Sequence, residues 1–118
     1  MSSLRQAQGR RLRKQWNIIL HLSMKSPFGD LCKLFASIKN EREAEMLFSD
    51  IFTPSELASL VERWQLVQLL AKGTPQREIK KKLKISISKV TRGSRALRHG
   101  SGGFQFFLQR LGKLKRKN

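Results

Sequence analysis

Apolar residues recur at helical spacing along most of this chain, and they predict an all-α protein. Three such stretches precede residue 53, beginning near Leu12, at Ser26-Pro27 and at Glu41. Ser26 and Pro27 form a good helix start, because Ser caps free backbone N–H groups and Pro fits the first helical position. The apolar positions of the three stretches are Leu12, Trp16, Ile19 and Leu20, then Phe28, Leu31, Cys32, Phe35 and Ile38, then Met46, Leu47 and Ile51.

A fourth helix is predicted to start at Thr53, where Thr-Pro-Ser-Glu forms a capping box closed by Glu56. Lys72-Gly73 should end it, since Gly accepts the left-handed backbone that commonly follows a helix. The buried stripe of this helix is predicted at six apolar positions, Leu57, Leu60, Val61, Trp64, Val67 and Leu70.

The stretch from Thr74 to Arg98 predicts two short helices joined by a tight turn. We expect Thr74 to cap the first helix, with Pro75 in its first position, and Ser86 to cap the second. Lys84 stands in the turn where such motifs usually carry Gly, so a left-handed backbone there would cost about 1 kcal/mol. The apolar face of the pair is expected to meet one small core through Ile79, Leu83, Ile85, Val90 and Leu97.

The opposite face of this helix pair is basic, with Glu78 as its one acid. Its nine cations are Arg77, Lys80, Lys81, Lys82, Lys84, Lys89, Arg92, Arg95 and Arg98. A helix pair with one apolar and one basic face is a helix-turn-helix candidate. The whole chain carries a formal net charge of +17, which favours a polyanionic partner such as nucleic acid. Residues 50–73 are nearly neutral, which suggests a packing region between contact regions.

Beyond Arg98, the segment His99–Gly103 predicts a flexible hinge before a last short helix. The apolar positions of that helix are Phe104, Phe107, Leu108 and Leu111. So short a helix is not stable alone, so we expect it to dock on the body of the protein. The predicted organisation is a basic flexible arm (1–14), a helical domain (15–98) containing the helix-turn-helix candidate (74–98), and a hinge, short helix and basic tail (99–118).

Several classes of protein are disfavoured by composition. Cys32 is the single cysteine, so no internal disulfide forms; its place on an apolar helical face predicts core packing, and a reducing cytoplasm is expected. No apolar run approaches the roughly 18 residues needed to cross a membrane. His21 and His99 have no partners at metal-ligand spacing, and Gly100–Gly103 is not followed by the Lys-Ser/Thr of a nucleotide-binding loop. We therefore expect no enzyme activity, no metal and no cofactor.

Two motifs in the helix pair are more specific than its general pattern. QRE at Gln76–Glu78 followed by VTRGS at Val90–Ser94 resembles the tryptophan operon repressor family, and the similarity extends from about Ile51 to Leu97. The resemblance implies an intertwined helical homodimer whose helix-turn-helix units bind double-stranded DNA at a palindromic operator. In such a dimer, we expect the last short helix to dock across the two chains. It also implies a repressor that acts in the cytoplasm with L-tryptophan as co-repressor.

The resemblance further implies which residues hold the ligand. The guanidinium groups of Arg63 and Arg92 would stack on the two faces of the indole, being flat and permanently charged. Arg92 would also bind the carboxylate of the ligand. Gly93 would leave room for the ring.

The partner chain is expected to complete the ligand site. Thr53, with backbone carbonyls near Asp50 and Phe52, matches the place where the ammonium and carboxylate are received. Ala96 occupies a position that is usually Ser in the family. Losing that one hydrogen bond is expected to weaken binding by about 0.5–1.5 kcal/mol.

Two sets of residues are candidates for DNA contacts. Those at the start of the second helix, expected in the major groove, are Ile87, Ser88, Lys89 and Thr91. Those on the first helix, expected at phosphates, are Arg77, Lys80, Lys81 and Lys82. Two other interpretations stay open: a non-specific architectural nucleic-acid-binding protein without small-molecule control, and a binding module of a larger recombination or polymerase assembly. A footprint limited to a palindrome would distinguish the repressor from both.

Overall fold

The computed structural model of the chain describes residues 26–114, and this part is helical throughout, without strands. The helices are α1 (Pro27–Ala36), α2 (Glu41–Ile51), α3 (Pro54–Ala71), α4 (Gln76–Leu83), α5 (Ile87–His99) and α6 (Gly103–Arg110). The prediction of an all-α fold is confirmed. The predicted basic arm of residues 1–14, the helix beginning near Leu12 and the end of the basic tail lie outside the described residues.

The chain divides into two compact units, one ending at Phe48 and the other beginning at Ser49, so the boundary falls within α2. In the first unit, the Ser26 side chain accepts a hydrogen bond from the backbone N–H of Gly29 at 3.3 Å, which confirms the predicted start of α1. The rings of Phe35 and Phe48 pack together, with centroids 5.7 Å apart and planes tilted by 41°.

One face of α1 is open to solvent in the single chain. Leu31 is 41% exposed, Leu34 is 40% exposed, and the free thiol of Cys32 is also exposed. The prediction that Cys32 packs in a core is therefore wrong for the single chain, because the described residues of its unit do not cover this side of the helix.

The second unit is organised around α3, which packs against α4, α5 and α6. The predicted capping box starts the helix: the Thr53 hydroxyl accepts the N–H of Glu56 at 3.2 Å, and Glu56 Oε1 accepts the N–H of Thr53 at 2.9 Å. The helix ends at Ala71, and Gly73 takes a left-handed backbone with a φ of 85°. The predicted stop at Lys72-Gly73 is confirmed.

A small apolar core lies where α3, α4 and α5 meet. Ile79 and Val90 are fully buried, and Ile85 fills the space under the turn between α4 and α5. These three positions were predicted, and Leu83 packs partly buried against them. The contribution of α3 is centred on Leu66, which is buried although it was not part of the predicted stripe.

The predicted stripe of α3 is therefore only partly correct. Val67 is fully buried, whereas Leu60 and Val61 are exposed. Leu57 and Trp64 are half-buried, so the exposed apolar side chains of the first half of α3 are those of Leu60 and Val61.

The last helix, α6, docks on α3 and α5 of the same chain. Leu108 is fully buried, and the Phe104 ring stacks on Trp64 with centroids 6.5 Å apart. The predicted docking on the body of the protein is confirmed by these contacts within one chain, and docking across a dimer stays a prediction. Phe107 and Leu111, the other members of the predicted stripe, are exposed.

Candidate functional site

A tight turn at Lys84–Ser86 joins α4 to α5. Lys84 has a φ of 54° and a ψ of 45°, and among residues 26–114 it is the one non-glycine residue with a positive φ. The backbone N–H groups of Lys84 and Ile85 both donate to the carbonyl of Lys80. The turn therefore has the geometry expected from sequence, with a side chain where Gly would be free of strain.

The start of α4 differs from the prediction. The helix begins at Gln76, and Pro75 is its N-cap in an extended conformation with a ψ of 144°. The Pro75 carbonyl accepts the N–H groups of Glu78 and Ile79 at 3.0 and 3.1 Å. Thr74 was predicted to cap this helix, but it lies one residue too early because Pro75 is not yet helical.

Ser86 caps α5, as predicted. Its hydroxyl accepts the backbone N–H of Lys89 at 3.2 Å, and its carbonyl accepts that of Val90 at 3.2 Å. The four residues predicted to enter the groove are all exposed, namely Ile87, Ser88, Lys89 and Thr91. The structure thus presents an apolar side chain, two hydroxyls and an ammonium at the start of one helix.

Helix α4 has one buried face and one exposed face. Ile79 is fully buried on the face that packs against the core. The four predicted phosphate-binding cations are all exposed, namely Arg77, Lys80, Lys81 and Lys82. Because α4 packs on α5, these cations and the exposed start of α5 belong to one compact helix pair. Cations beside a helix with exposed hydroxyl and ammonium groups suit a DNA backbone and groove.

Lys89 has a partner that the sequence did not indicate. Its Nζ lies 3.0 Å from Oε1 of Glu62 on α3. The two residues are 27 positions apart, so no spacing rule connects them. The two side chains are 59% and 35% exposed, so solvent ions and anionic ligands can compete for the ammonium.

Gly93 is buried where α5 crosses α3. A Cβ at this position would lie 2.5 Å from Cδ2 and 3.0 Å from Cγ of Leu66, so a side chain there would require the Leu66 side chain to move. The resemblance placed a ligand ring over Gly93, whereas here the Leu66 side chain lies against it. The part that Gly93 plays in ligand binding stays a prediction.

The two arginines predicted to hold a ligand lie on the helices that meet at this crossing. Arg63 is one helical turn before Leu66 and Val67 on α3, and Arg92 directly precedes Gly93 on α5. Both arginine side chains are exposed. The contact of Leu66 with Gly93 therefore brings together the two helical segments that carry these guanidinium groups.

The residues predicted to complete the ligand site lie where α2 leads into α3. Asp50 belongs to the last turn of α2, and Phe52 and Thr53 form the link. Carbonyl groups in the last turn of a helix lack intrahelical donors, so they can accept hydrogen bonds from a cation.

The carboxylate of Glu56 is stabilised by Thr53 at the start of α3. A hydrogen bond from the Thr53 backbone N–H, and to a lesser extent one from its hydroxyl, lowers the pKa of Glu56 below its usual value.

Two further findings concern the described part of the chain alone. Residues 26–114 contain no group of three His, Cys, Asp or Glu side chains placed to hold a metal ion. Over the same range, no helix combines the length and apolar composition required to cross a membrane.

Residues 27–112 match the family model described as Trp repressor protein. The chain belongs to the Trp repressor family. A Trp operon repressor homolog of Chlamydia caviae is 36% identical over 92 residues, which cover 77% of this chain and 91% of that protein. One from Xylella fastidiosa is 31% identical over 74 residues, covering 62% and 80% of the two chains.

A solved structure supports the same assignment. The crystal structure of a TrpR like protein from Eubacterium eligens has a TM-score of 0.70 to this chain at 28% identity, covering 75% of this chain and 92% of that one. The family resemblance predicted from QRE and VTRGS is confirmed. The Trp repressor family comprises DNA-binding regulators of transcription, so regulation rather than catalysis is the family's function.

The Trp repressor match runs from α1 to the end of α6, so it includes every predicted ligand-binding and DNA-binding residue. Two residues of the site were missed from sequence. Leu66 could have been predicted as a core residue, because it lies one helical turn before the apolar Leu70 on the same helix. Glu62 gave none, since its contact with Lys89 depends on how α3 and α5 cross.

Proposed function

We propose that the chain is a transcriptional repressor that binds a near-palindromic DNA operator as a homodimer, with L-tryptophan as co-repressor. The observation that carries the proposal is the exposed start of α5 beside the basic α4, in a chain of the Trp repressor family. Such a repressor works in the cytoplasm, where it meets its DNA.

In this mechanism α5 is the recognition helix and enters the major groove. Ile87 offers an apolar contact for a thymine methyl group, and Ser88 and Thr91 offer hydroxyls to base edges. The ammonium of Lys89 can donate to guanine acceptors. The cations of α4 bind phosphates, which orients the helix without reading sequence. The net charge of +17 accelerates the encounter with DNA.

Exposed apolar side chains support the homodimer. They lie on α1, on α2 and on the first half of α3, namely Leu31, Leu34, Met46, Ile51, Leu60 and Val61. Exposed apolar surface of this kind is typical of protein interfaces. A second copy carries the same faces, so a twofold arrangement can cover both sets at once. Two α5 helices related by that symmetry suit the two half-sites of a palindrome.

The exposed guanidinium groups of Arg63 and Arg92 support a ligand that has a flat aromatic ring and a carboxylate. L-tryptophan supplies an aromatic ring for stacking and a carboxylate for Arg92. Its ammonium suits the carbonyl groups near Asp50 and Phe52, which the partner chain would contribute. Tryptophan acts as co-repressor by binding the DNA-competent arrangement more tightly than the alternative.

Calorimetric titration with each of the twenty amino acids tests the ligand, and footprinting on DNA tests the operator. We expect heat of binding with tryptophan and a footprint confined to a palindrome. A chain that ignores every amino acid and protects all sequences alike would be a non-specific architectural protein, which the charge of +17 also fits.

A further inference from the structure

The ion pair between Lys89 and Glu62 joins the first turn of the recognition helix to α3. Glu78 is the one acidic residue in the sequence of the helix pair, residues 74–98. The fold places a second carboxylate, that of Glu62, at the start of α5. Within the described residues, Lys89 is the cation of α4 and α5 that has a carboxylate partner.

This pair contributes little to stability, because both side chains are substantially exposed. The local fold has other sources of order. Ser86 caps α5, and Leu66, Ile79 and Val90 form a buried core beneath it. The carboxylate of Glu62 is therefore better explained by its effect on the charge of Lys89 than by support of the helix.

We propose that Glu62 is a specificity-determining residue, which restrains Lys89 from binding DNA phosphates and so favours the operator over other sequences. The inference rests on the proposed function, in which α5 reads the groove. A nearby carboxylate partly neutralises the ammonium and repels phosphate oxygens, which lowers the gain from a contact that every DNA sequence offers.

Base reading is affected less than phosphate binding. An ammonium has three N–H donors, and Glu62 occupies one of them, so the others can donate to guanine O6 and N7 when α5 is seated in its operator. In a non-specific complex these acceptors are not aligned with Lys89. The ammonium then stays with Glu62, and the complex gains little from it.

The test compares the variants Glu62→Gln and Glu78→Gln, which make the same change in net charge. The DNA probes are a duplex selected from a random library by the wild-type protein and a shuffled duplex of the same composition, both with saturating L-tryptophan. Affinities are measured by fluorescence anisotropy from low to moderate salt, and circular dichroism checks that each variant is folded.

For Glu62→Gln we expect a severalfold gain in affinity for the shuffled duplex and a smaller gain for the selected one. The salt dependence on the shuffled duplex should steepen by about 0.9 in log–log slope, the value of one added phosphate contact. Glu78→Gln should leave the ratio of the two affinities unchanged. In a Lys89→Gln background, Glu62→Gln should also leave that ratio unchanged, because no ammonium remains to be released.

The inference is overturned alone if the wild type discriminates between the duplexes and Glu62→Gln discriminates equally well. It is also overturned if the lost discrimination persists in the Lys89→Gln background. A wild type that binds both duplexes alike overturns the proposed function together with the inference.

Discussion

The two halves of α3 differ in how completely their neighbours cover them. In the second half, Leu66 and Val67 are buried against α4, α5 and α6, which complete a core within one chain. In the first half, Leu60 is 36% exposed and Val61 is 53% exposed. The helix pair proposed to read DNA is thus packed by its own chain, whereas Leu60 and Val61 in the first half of α3 stay exposed, as the proposed homodimer requires.

The largest effect is expected from breaking the completed core. Ile79→Ala removes a fully buried side chain, so we expect a loss of about 2–5 kcal/mol in the free energy of unfolding. Ile87→Ala is the matched control, because Ile87 is 45% exposed on the neighbouring helix and should change stability by about 0.5 kcal/mol or less. Urea unfolding followed by circular dichroism measures both. Equal losses would mean that the core lies elsewhere.

A charged side chain introduced in the exposed first half of α3 tests whether this surface forms the proposed dimer interface. The wild type should sediment at about twice the 13.6 kDa chain mass at micromolar concentration. Val61→Glu should weaken dimerisation by about tenfold or more, since an unpaired carboxylate would be buried in the interface. Val61→Ala should weaken it much less. A wild-type monomer, or a Val61→Glu protein that dimerises normally, would contradict the homodimer.

The helix pair packed by its own chain contains one residue with a strained backbone, Lys84 in the turn between α4 and α5. Lys84→Gly should raise the free energy of unfolding by about 1 kcal/mol, because Gly adopts the left-handed backbone of this turn without a steric penalty. Lys82→Gly is the control, since the same residue change inside α4 should destabilise by about 1 kcal/mol. Thermal unfolding of the two variants should therefore shift in opposite directions.

The smallest effect is expected at the capping box that begins the uncovered half of α3. Hydrogen bonds from the Thr53 backbone N–H and hydroxyl lower the pKa of Glu56, so its ionised form stabilises the folded state. That contribution is complete above the pKa of Glu in the unfolded chain and is lost as the pH falls through the lower, folded pKa. The difference in Tm between the wild type and Glu56→Gln should shrink over this acidic range. A difference that is constant with pH would show that the Glu56 charge is not involved.

Local chemistry made much of the fold predictable from sequence. Ser26, Thr53 and Ser86 are caps because a short side-chain oxygen can reach a free N–H at the start of a helix, and that depends only on neighbouring residues. The core positions Ile79 and Val90 follow from helical spacing in the same way. Thr74 failed as a cap because its neighbour Pro75 stays extended, which spacing does not determine.

Contacts between helices were not predictable, because they depend on how distant segments cross. Leu66 is buried since α5 approaches closely at Gly93, and the ion pair of Glu62 with Lys89 arises at the same crossing. The exposure of Val61 likewise reflects where α4 and α5 stop covering α3. The candidate ligand residues came from the family resemblance, and their ligand remains a prediction.

Operator affinity with and without saturating L-tryptophan, for the wild type, Arg63→Ala and Arg92→Ala, tests the central claim most directly. We expect tryptophan to tighten operator binding by the wild type. Arg63→Ala should lower tryptophan affinity severalfold or more, because it removes one stacking partner worth about 0.5–2 kcal/mol, while ligand-free DNA binding barely changes. Arg92→Ala should impair both functions, since Arg92 neighbours the groove-reading residues and meets the carboxylate. Wild-type operator affinity that is the same with and without tryptophan would contradict the co-repressor mechanism.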